Sequence, residues 1–98
     1  MAKIRLSRKA IADLDGIWDY TVETWSEEQA VVYYRQIYTS IQGLDSLPVF
    51  LEKTYDVIKP GLIGFKVGHH IVFYKKHKDV SIWVDRILHE KMDYQRHL

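Results

Sequence analysis

The residues best able to do chemistry crowd the end of the chain. The stretch "RILHEKMDYQRHL", Arg86 to Leu98, holds His89 and His97, Glu90 and Asp93, Tyr94, and the cations Arg86, Lys91 and Arg96. His89, Asp93 and His97 are four residues apart in series. On a helix they would share one stripe, and nitrogen and oxygen ligands of that kind suit zinc or nickel. His69 and His70, side by side upstream, would add ligands from a turn. Against a metal, a helix at a chain end frays, and Asp93 serves equally well as a partner for His89 or for a helix-start amide. The second chemistry is RNA cleavage without metal. It needs a base for the ribose 2′-hydroxyl, an acid for the leaving oxygen and cations on the phosphorane. Lys66, His70, Arg86, His89, Lys91 and Tyr94 supply those residue types. Each also has a plain structural role open to it. Lys66 suits a solvated strand position, His70 and His89 suit hydrogen-bonded structural histidines, and Tyr94 suits packing on a sheet. No elbow motif surrounds any serine, and the five glycines are dispersed rather than gathered into a phosphate loop. With no cysteine, disulfides and thiolate zinc sites are excluded. The expectation is therefore no metal and no cofactor, with RNA cleavage left open by the residue types alone.

The elements that must position these residues follow from periodicity. "KIRLS" alternates, with Ile4 and Leu6 on one side and Lys3 and Arg5 on the other, and reads as a short strand. Ser7 can then cap a helix. In "RKAIADLDGIWDYTVETW", Ile11, Leu14, Trp18, Thr21 or Val22, and Trp25 recur at helical spacing, with Asp13, Asp15, Asp19 and Glu23 mostly opposite. Gly16 weakens that helix by roughly 1 kcal/mol relative to alanine, so close packing is expected there. Ser26 and Gln29 have capping-box spacing, with Glu27 and Glu28 well placed for the helix dipole. Ala30, Tyr34, Ile37, Ile41 and Leu44 then make one apolar stripe, and the second helix should end before Pro48. The connection is so short that the two helices must form an antiparallel hairpin.

After Pro60-Gly61 the period becomes two. Ile63, Phe65 and Val67 share a face, and Gly68-His69 turns the chain into "HIVFYK", whose nearly continuous apolar run predicts a central strand. "KHKD" turns it again. "VSIWVDRIL" then places Val80, Ile82 and Val84 on one face and Ser81, Trp83 and Asp85 on the other. Three strands joined by short turns make an antiparallel meander. With the first strand added, the expected class is α+β: an N-terminal strand and a helical hairpin packed on an antiparallel sheet, with a short C-terminal helix.

The chain has 98 residues, 47% of them apolar, enough for one small core, so residues 1–98 read as one domain. No apolar run is long enough to span a membrane. "MAKIRLSRKA" has no apolar signal core, so the chain is expected to start here and stay in the cytoplasm. Net charge is +1, but it is unevenly spread. Residues 1–50 carry five Lys/Arg against seven Asp/Glu; residues 51–98 carry nine against six, together with all five histidines. Ordinary surface charge accounts for this, and so does a basic face that meets an acidic partner or a phosphate backbone.

"HHIVFYKKHKDVSIWVDRILHEKMDYQRHL" resembles the ending of the ParE toxins of bacterial toxin–antitoxin modules. The matching marks are His70, the Ile71–Tyr74 strand, Arg86-Ile87-Leu88-His89, Met92-Asp93 and Arg96-His97-Leu98. Upstream, Leu6-Ser7, Ala10, Asp13-Leu14, Ile17, Tyr20-Thr21, Trp25, Gln29-Ala30 and Tyr33 are similar to the family's first helix and turn, and "LDSLP" and "KPGL" to its mid-chain landmarks. The resemblance covers nearly the whole chain in order. It implies the fold shared by ParE toxins and RelE messenger-RNA interferases. It also implies a non-catalytic inhibitor of DNA gyrase, with no direct sequence-specific nucleic-acid binding and no membrane. A cognate antitoxin would neutralise it, with higher-order toxin–antitoxin oligomers open to the pair. Ile63 stands where the family often has arginine, and His69 where it often has a basic residue. His70 stands about where an interferase arginine would be, which depletes the RNase set. The alternative is a RelE-like ribosome-dependent mRNA endonuclease; a decayed toxin that keeps only antitoxin binding is a third reading. The expected antitoxin groove comprises Trp18, Val22, Tyr34, Ile37 and Tyr38 from the hairpin with Phe65 and Phe73 from the sheet. The expected target-facing set, resting on charge, is Lys66, His70, Arg86, His89, Lys91 and Arg96. His89 and Asp93 read as a hydrogen-bonded corner, Met92 and Leu98 as apolar anchors, and Arg86, Lys91 and Arg96 as an outward basic set.

Overall fold

The computed structural model describes residues 3–98; the expectation about the chain start rests on residues 1–2, which lie outside them. The elements run β1 (Ile4–Leu6), α1 (Arg8–Thr24), α2 (Glu27–Gln42), two 3-10 turns (Leu44–Ser46 and Val49–Leu51), β2 (Lys53–Thr54), β3 (Ile63–Val67), β4 (His70–Lys76), β5 (Ile82–His89) and α3 (Tyr94–His97). The sheet order is β1-β5-β4-β3-β2, which makes β4 central, as its unbroken apolar run predicts. β3, β4 and β5 form the antiparallel meander. The sheet as a whole is mixed rather than antiparallel, because β1 pairs parallel to β5, Ile4 opposite Ile82 and Leu6 opposite Val84. The helical hairpin lies between β1 and the meander in sequence. It is the crossover that a parallel pair requires.

Both helices start at a serine. Ser7 Oγ accepts from Ala10 N at 2.9 Å, and Ser26 Oγ accepts from Gln29 N at 3.0 Å. Each bond satisfies one of the amides left free in a first helical turn. Only Trp25 and Ser26 separate the helices. On α2 the buried residues are Ala30, Ile37 and Ile41, as spaced. On α1 the buried residues are Ala10, Leu14 and Thr21; Leu14 and Thr21 are as spaced, while Ala10 takes the place expected of Ile11. Ile11 (50% exposed) and Trp25 (74% exposed) face water instead. Gly16 also differs from expectation: a Cβ there would meet nothing within 4 Å, so no close contact within the chain requires glycine.

The sheet has a core on each face. Ile82, Val84, Ile87, Val72, Tyr74 and Val67 pack under the helices with Leu14, Ile37 and Ile41. Leu62, Ile71, Phe73 and Leu88 form the second core, covered by Tyr55, Ile58, Tyr94 and Leu98. Burying each such Ile, Leu or Phe contributes roughly 1.5–3 kcal/mol. Strict alternation along β5 would send Val84 and Ile87 to opposite faces. A bulge prevents this: Phe73 pairs with Arg86 and Tyr74 with Val84, leaving Asp85 as the extra residue. Val80 is not in the strand. It sits in the β4–β5 turn with φ 61 and is 71% exposed, an unusual backbone conformation for a β-branched residue. No buried side-chain polar atom among the described residues lacks a hydrogen-bond partner. No helix among them is long and apolar enough to cross a membrane.

Candidate binding surfaces

The stretch from Arg86 to Leu98 is divided between two elements. β5 runs through His89 and α3 begins only at Tyr94, so His89, Asp93 and His97 do not share a helical stripe. Among the described residues, no group of three His, Asp or Glu side chains is placed to hold a metal. His89 does form a corner: its Nδ1 accepts from Lys91 N at 3.2 Å. Asp93 occupies the N-cap of α3 but its side chain makes no capping bond. Leu98 packs on the second core with Tyr94. Met92 does not; it is 37% exposed and lines a groove.

Arg86 is not outward. Its Nε and Nη2 donate to the two carboxylate oxygens of Asp13 at 2.8 and 2.9 Å, and its Nη1 donates to His97 O at 2.9 Å. The side chains of the pair are only 16% and 15% exposed. The Asp13 carboxylate raises the guanidinium pKa above its ordinary value, chiefly through these hydrogen bonds. The reason lies at the sheet edge. β1 stops pairing at Leu6, so β5 has an open edge beyond Val84. Ser7 Oγ donates to Asp85 O at 2.6 Å, and Asp13 Oδ2 accepts from Ile87 N at 2.9 Å. Helix α1 thus supplies the partners that the absent strand does not. Arg86 fastens α1, this edge and α3 together.

At the other end of β4, Tyr33 governs the β3–β4 turn. Its hydroxyl donates to Val67 O (3.2 Å), accepts from His69 N (3.0 Å) and lies 2.6 Å from His70 Nδ1. Its ring fills the space a Cβ at Gly68 would occupy, 2.6 Å from Tyr33 Cε1, and Gly68 itself has φ +59. Burial pushes the Tyr33 hydroxyl pKa up. Burial, and then the neighbouring His89 and His69, push His70 down to about 4, so at neutral pH His70 is uncharged. Glu90 pairs with Lys66 Nζ at 2.9 Å and meets His69 Nδ1 at 2.7 Å. The Lys66 ammonium first, and then His69, hold the Glu90 carboxyl down to about 2. Tyr94 Oη donates to Glu90 O at 2.6 Å.

The expected target-facing set is therefore dispersed. Lys66 is exposed but paired with Glu90, and Arg86 is held inside. His70 and His89 turn toward α1 into a groove of about 350 Å³, whose walls include Asp13, Gly16, Tyr20, Ile87 and Met92. Lys91 and Arg96 remain exposed. The expected antitoxin groove is similarly divided. Trp18, Tyr34 and Tyr38 do come together, with ring centroids 6.0 Å apart (Trp18–Tyr34, edge-on) and 6.4 Å apart (Tyr34–Tyr38, stacked). Val22 is partly buried one turn from Trp18, and Phe65 is partly buried against the helix-side core. Ile37 and Phe73 are both fully buried, on opposite faces of the sheet, and no partner reaches them without unpacking the core. Sequence reasoning missed Asp13, Tyr33 and Glu90. Asp13 lies 73 residues from Arg86, and no local pattern signals that pairing.

A hairpin laid over one face of a mixed sheet, its first strand parallel to its last, is a known arrangement. This fold is similar to that of a solved chain from the chromosomal ParDE toxin–antitoxin system of P. aeruginosa, with a TM-score of 0.74 at 23% identity, covering 91% of this chain and 96% of that one. That defines the fold. At the sequence level, the family model for the ParE toxin of the type II toxin–antitoxin system parDE matches residues 4–94. Toxin ParE1 of Caulobacter vibrioides is 35% identical over 98 residues, 100% of this chain and 99% of the relative. Toxin ParE1 of Mycobacterium tuberculosis is 36% identical over 93 residues, 95% of this chain and 94% of the relative. The chain belongs to the ParE family of toxins of type II toxin–antitoxin systems.

Proposed function

We propose that this toxin acts in the bacterial cytoplasm by binding and inhibiting DNA gyrase, without catalysis of its own, and that a cognate antitoxin holds it silent. Membership of the ParE family along the whole chain carries the reading. The disposition of the reactive side chains supports it against RNA cleavage. Arg86 is engaged by Asp13, the Tyr94 hydroxyl is engaged by Glu90 O, and His70 Nδ1 is engaged by Tyr33. A cleaving site needs such groups convergent and free to meet a phosphate.

The antitoxin surface proposed is the outer part of the hairpin, centred on Trp18, Val22, Tyr34 and Tyr38, with the exposed Trp25 seven residues on from Trp18. Aromatic groups at the edge of a small core suit an amphipathic segment that completes it. At a free antitoxin concentration 100 times Kd, the toxin should gain about 2.7 kcal/mol of stability. An unchanged Tm at saturation would dismiss this surface, as would undiminished affinity in Trp18→Ala/Tyr38→Ala.

Induced expression in bacteria tests the cellular reading. Labelled thymidine incorporation should fall before labelled methionine incorporation, and co-expression of the antitoxin should restore growth. Protein synthesis failing first would favour the interferase reading, and unimpeded growth would remove both.

A further inference from the structure

The sheet face opposite the helices carries a second feature, away from α3. Arg5, Trp83 and Lys75 stand directly opposite one another on adjacent strands β1, β5 and β4. Their neighbours Ile4, Leu6, Ile82, Val84 and Tyr74 all pack under the helices. Alternation therefore sends Arg5, Trp83 and Lys75 to the opposite, solvent-facing side. Trp83 is 39% exposed. The Arg5 guanidinium lies 5.1 Å from the Trp83 ring centroid, and His77, two residues beyond Lys75, is tilted against the same ring at 5.4 Å. The indole is also fixed in orientation: Trp83 Nε1 donates to Ser81 Oγ at 3.1 Å, and Ser81 Oγ donates to Asp79 Oδ1 at 2.6 Å. Asp79 is thus occupied by Ser81, and Arg5 and Lys75 have no ion-pair partner among the described residues.

We propose that this row of Arg5, Trp83 and Lys75 is a binding strip for single-stranded nucleic acid, read without sequence preference. Neither core uses the indole, and a solvent-facing aromatic flanked by cations on neighbouring strands is poorly explained by folding alone. The charge favours a polyanion. The aromatic distinguishes which one: nucleobases stack on an indole or on a guanidinium plane while phosphates meet the flanking cations, whereas an acidic peptide needs the cations only. The strip is separate from the hairpin surface assigned to the antitoxin, and it does not depend on the gyrase reading.

The test is fluorescence anisotropy of an end-labelled 12-nucleotide oligo-dT, titrated with the full chain from 20 to 150 mM salt. Binding should weaken with salt, and Arg5→Gln or Lys75→Gln should each flatten the log–log slope by about 0.7. Trp83→Leu should weaken binding about tenfold, and Trp83→Phe should restore most of it, because stacking is retained. Circular dichroism and Tm of each variant separate misfolding from lost contact. Absence of binding at 20 mM salt would overturn the proposal. So would equal affinity for Trp83→Leu and the parent chain, or displacement of the oligonucleotide by a poly-glutamate of matched charge at matched concentration. Either of those results would leave a charged surface that selects no nucleic acid.

Discussion

Replacing Asp13 with alanine removes the partner of Arg86 and strips the acceptor from Ile87 N–H. Asp13 accepts from Arg86 Nε at 2.8 Å, Arg86 Nη2 at 2.9 Å and Ile87 N at 2.9 Å, and both side chains are mostly shielded from water. Removing one partner of a buried ion pair costs about 3–5 kcal/mol. The residual exposure of this pair places the expected loss at the lower end, about 3 kcal/mol. For a domain of this size that corresponds to a Tm drop of roughly 12–24 °C. Asp13→Asn keeps an acceptor for Ile87 N–H and loses the charge, so about 1–2 kcal/mol is expected. The assay is urea unfolding followed by tryptophan fluorescence and far-ultraviolet circular dichroism, for the parent, Asp13→Ala, Arg86→Met and the double variant. The two sites should be coupled by about 2 kcal/mol, because the second substitution removes a charge already orphaned by the first. Adding 1 M salt should change the parent little, because shielded charges are weakly screened. A loss below about 1 kcal/mol for Asp13→Ala, or strict additivity in the double variant, would refute the claim that this pair fastens α1 to the β5 edge.

Further outcomes follow from the same geometry. His70 has its pKa lowered to about 4 from an ordinary 6.5, so the unfolded chain takes up a proton between those values while the folded chain does not. Its share of stability is complete above pH 6.5 and declines as pH falls toward 4, by an amount of order 1–2 kcal/mol after allowing for partial solvent contact. Urea titrations across that range should show the decline in the parent and a flatter profile in His70→Gln; identical profiles would contradict it. Gly68→Ala should destabilise by about 2 kcal/mol or more, since it combines a left-handed φ with a Cβ driven into Tyr33. A Tm unchanged by Gly68→Ala would show that the turn relaxes freely. Val80→Gly should raise stability by about 1 kcal/mol by relieving the left-handed strain at φ 61, and a lowered Tm would count against that conformation.

What the sequence revealed depended on the range of the interaction. The hairpin was legible because capping serines and a four–three stripe are local, and the central place of β4 because an apolar run has one stable position in a sheet. Leu98 was placed correctly for the same reason: an apolar terminus seeks the nearest uncovered core. The parallel pairing of β1 was not legible, because alternation fixes faces and leaves direction open. The bulge at Asp85 explains why Val84 and Ile87, three apart, share a face; a strict period of two cannot contain it. Alternation with Ile82 and Val84 reads Val80 into β5, but the β4–β5 turn includes it and the strand begins at Ile82. The candidate surfaces fared differently from the fold. Arg86 looked like free charge because its partner lies on α1, and Ile37 and Phe73 looked like groove residues because apolar character does not distinguish a core from an interface.

Gyrase inhibition itself is tested most directly in vitro. Purified chain would be titrated into a DNA gyrase supercoiling reaction, with products resolved after detergent and protease treatment. Lost supercoiling and accumulated linear DNA are expected at a micromolar excess of toxin, both reversed by stoichiometric antitoxin. Undiminished supercoiling without linear DNA at that excess, from protein shown to be folded, would contradict it.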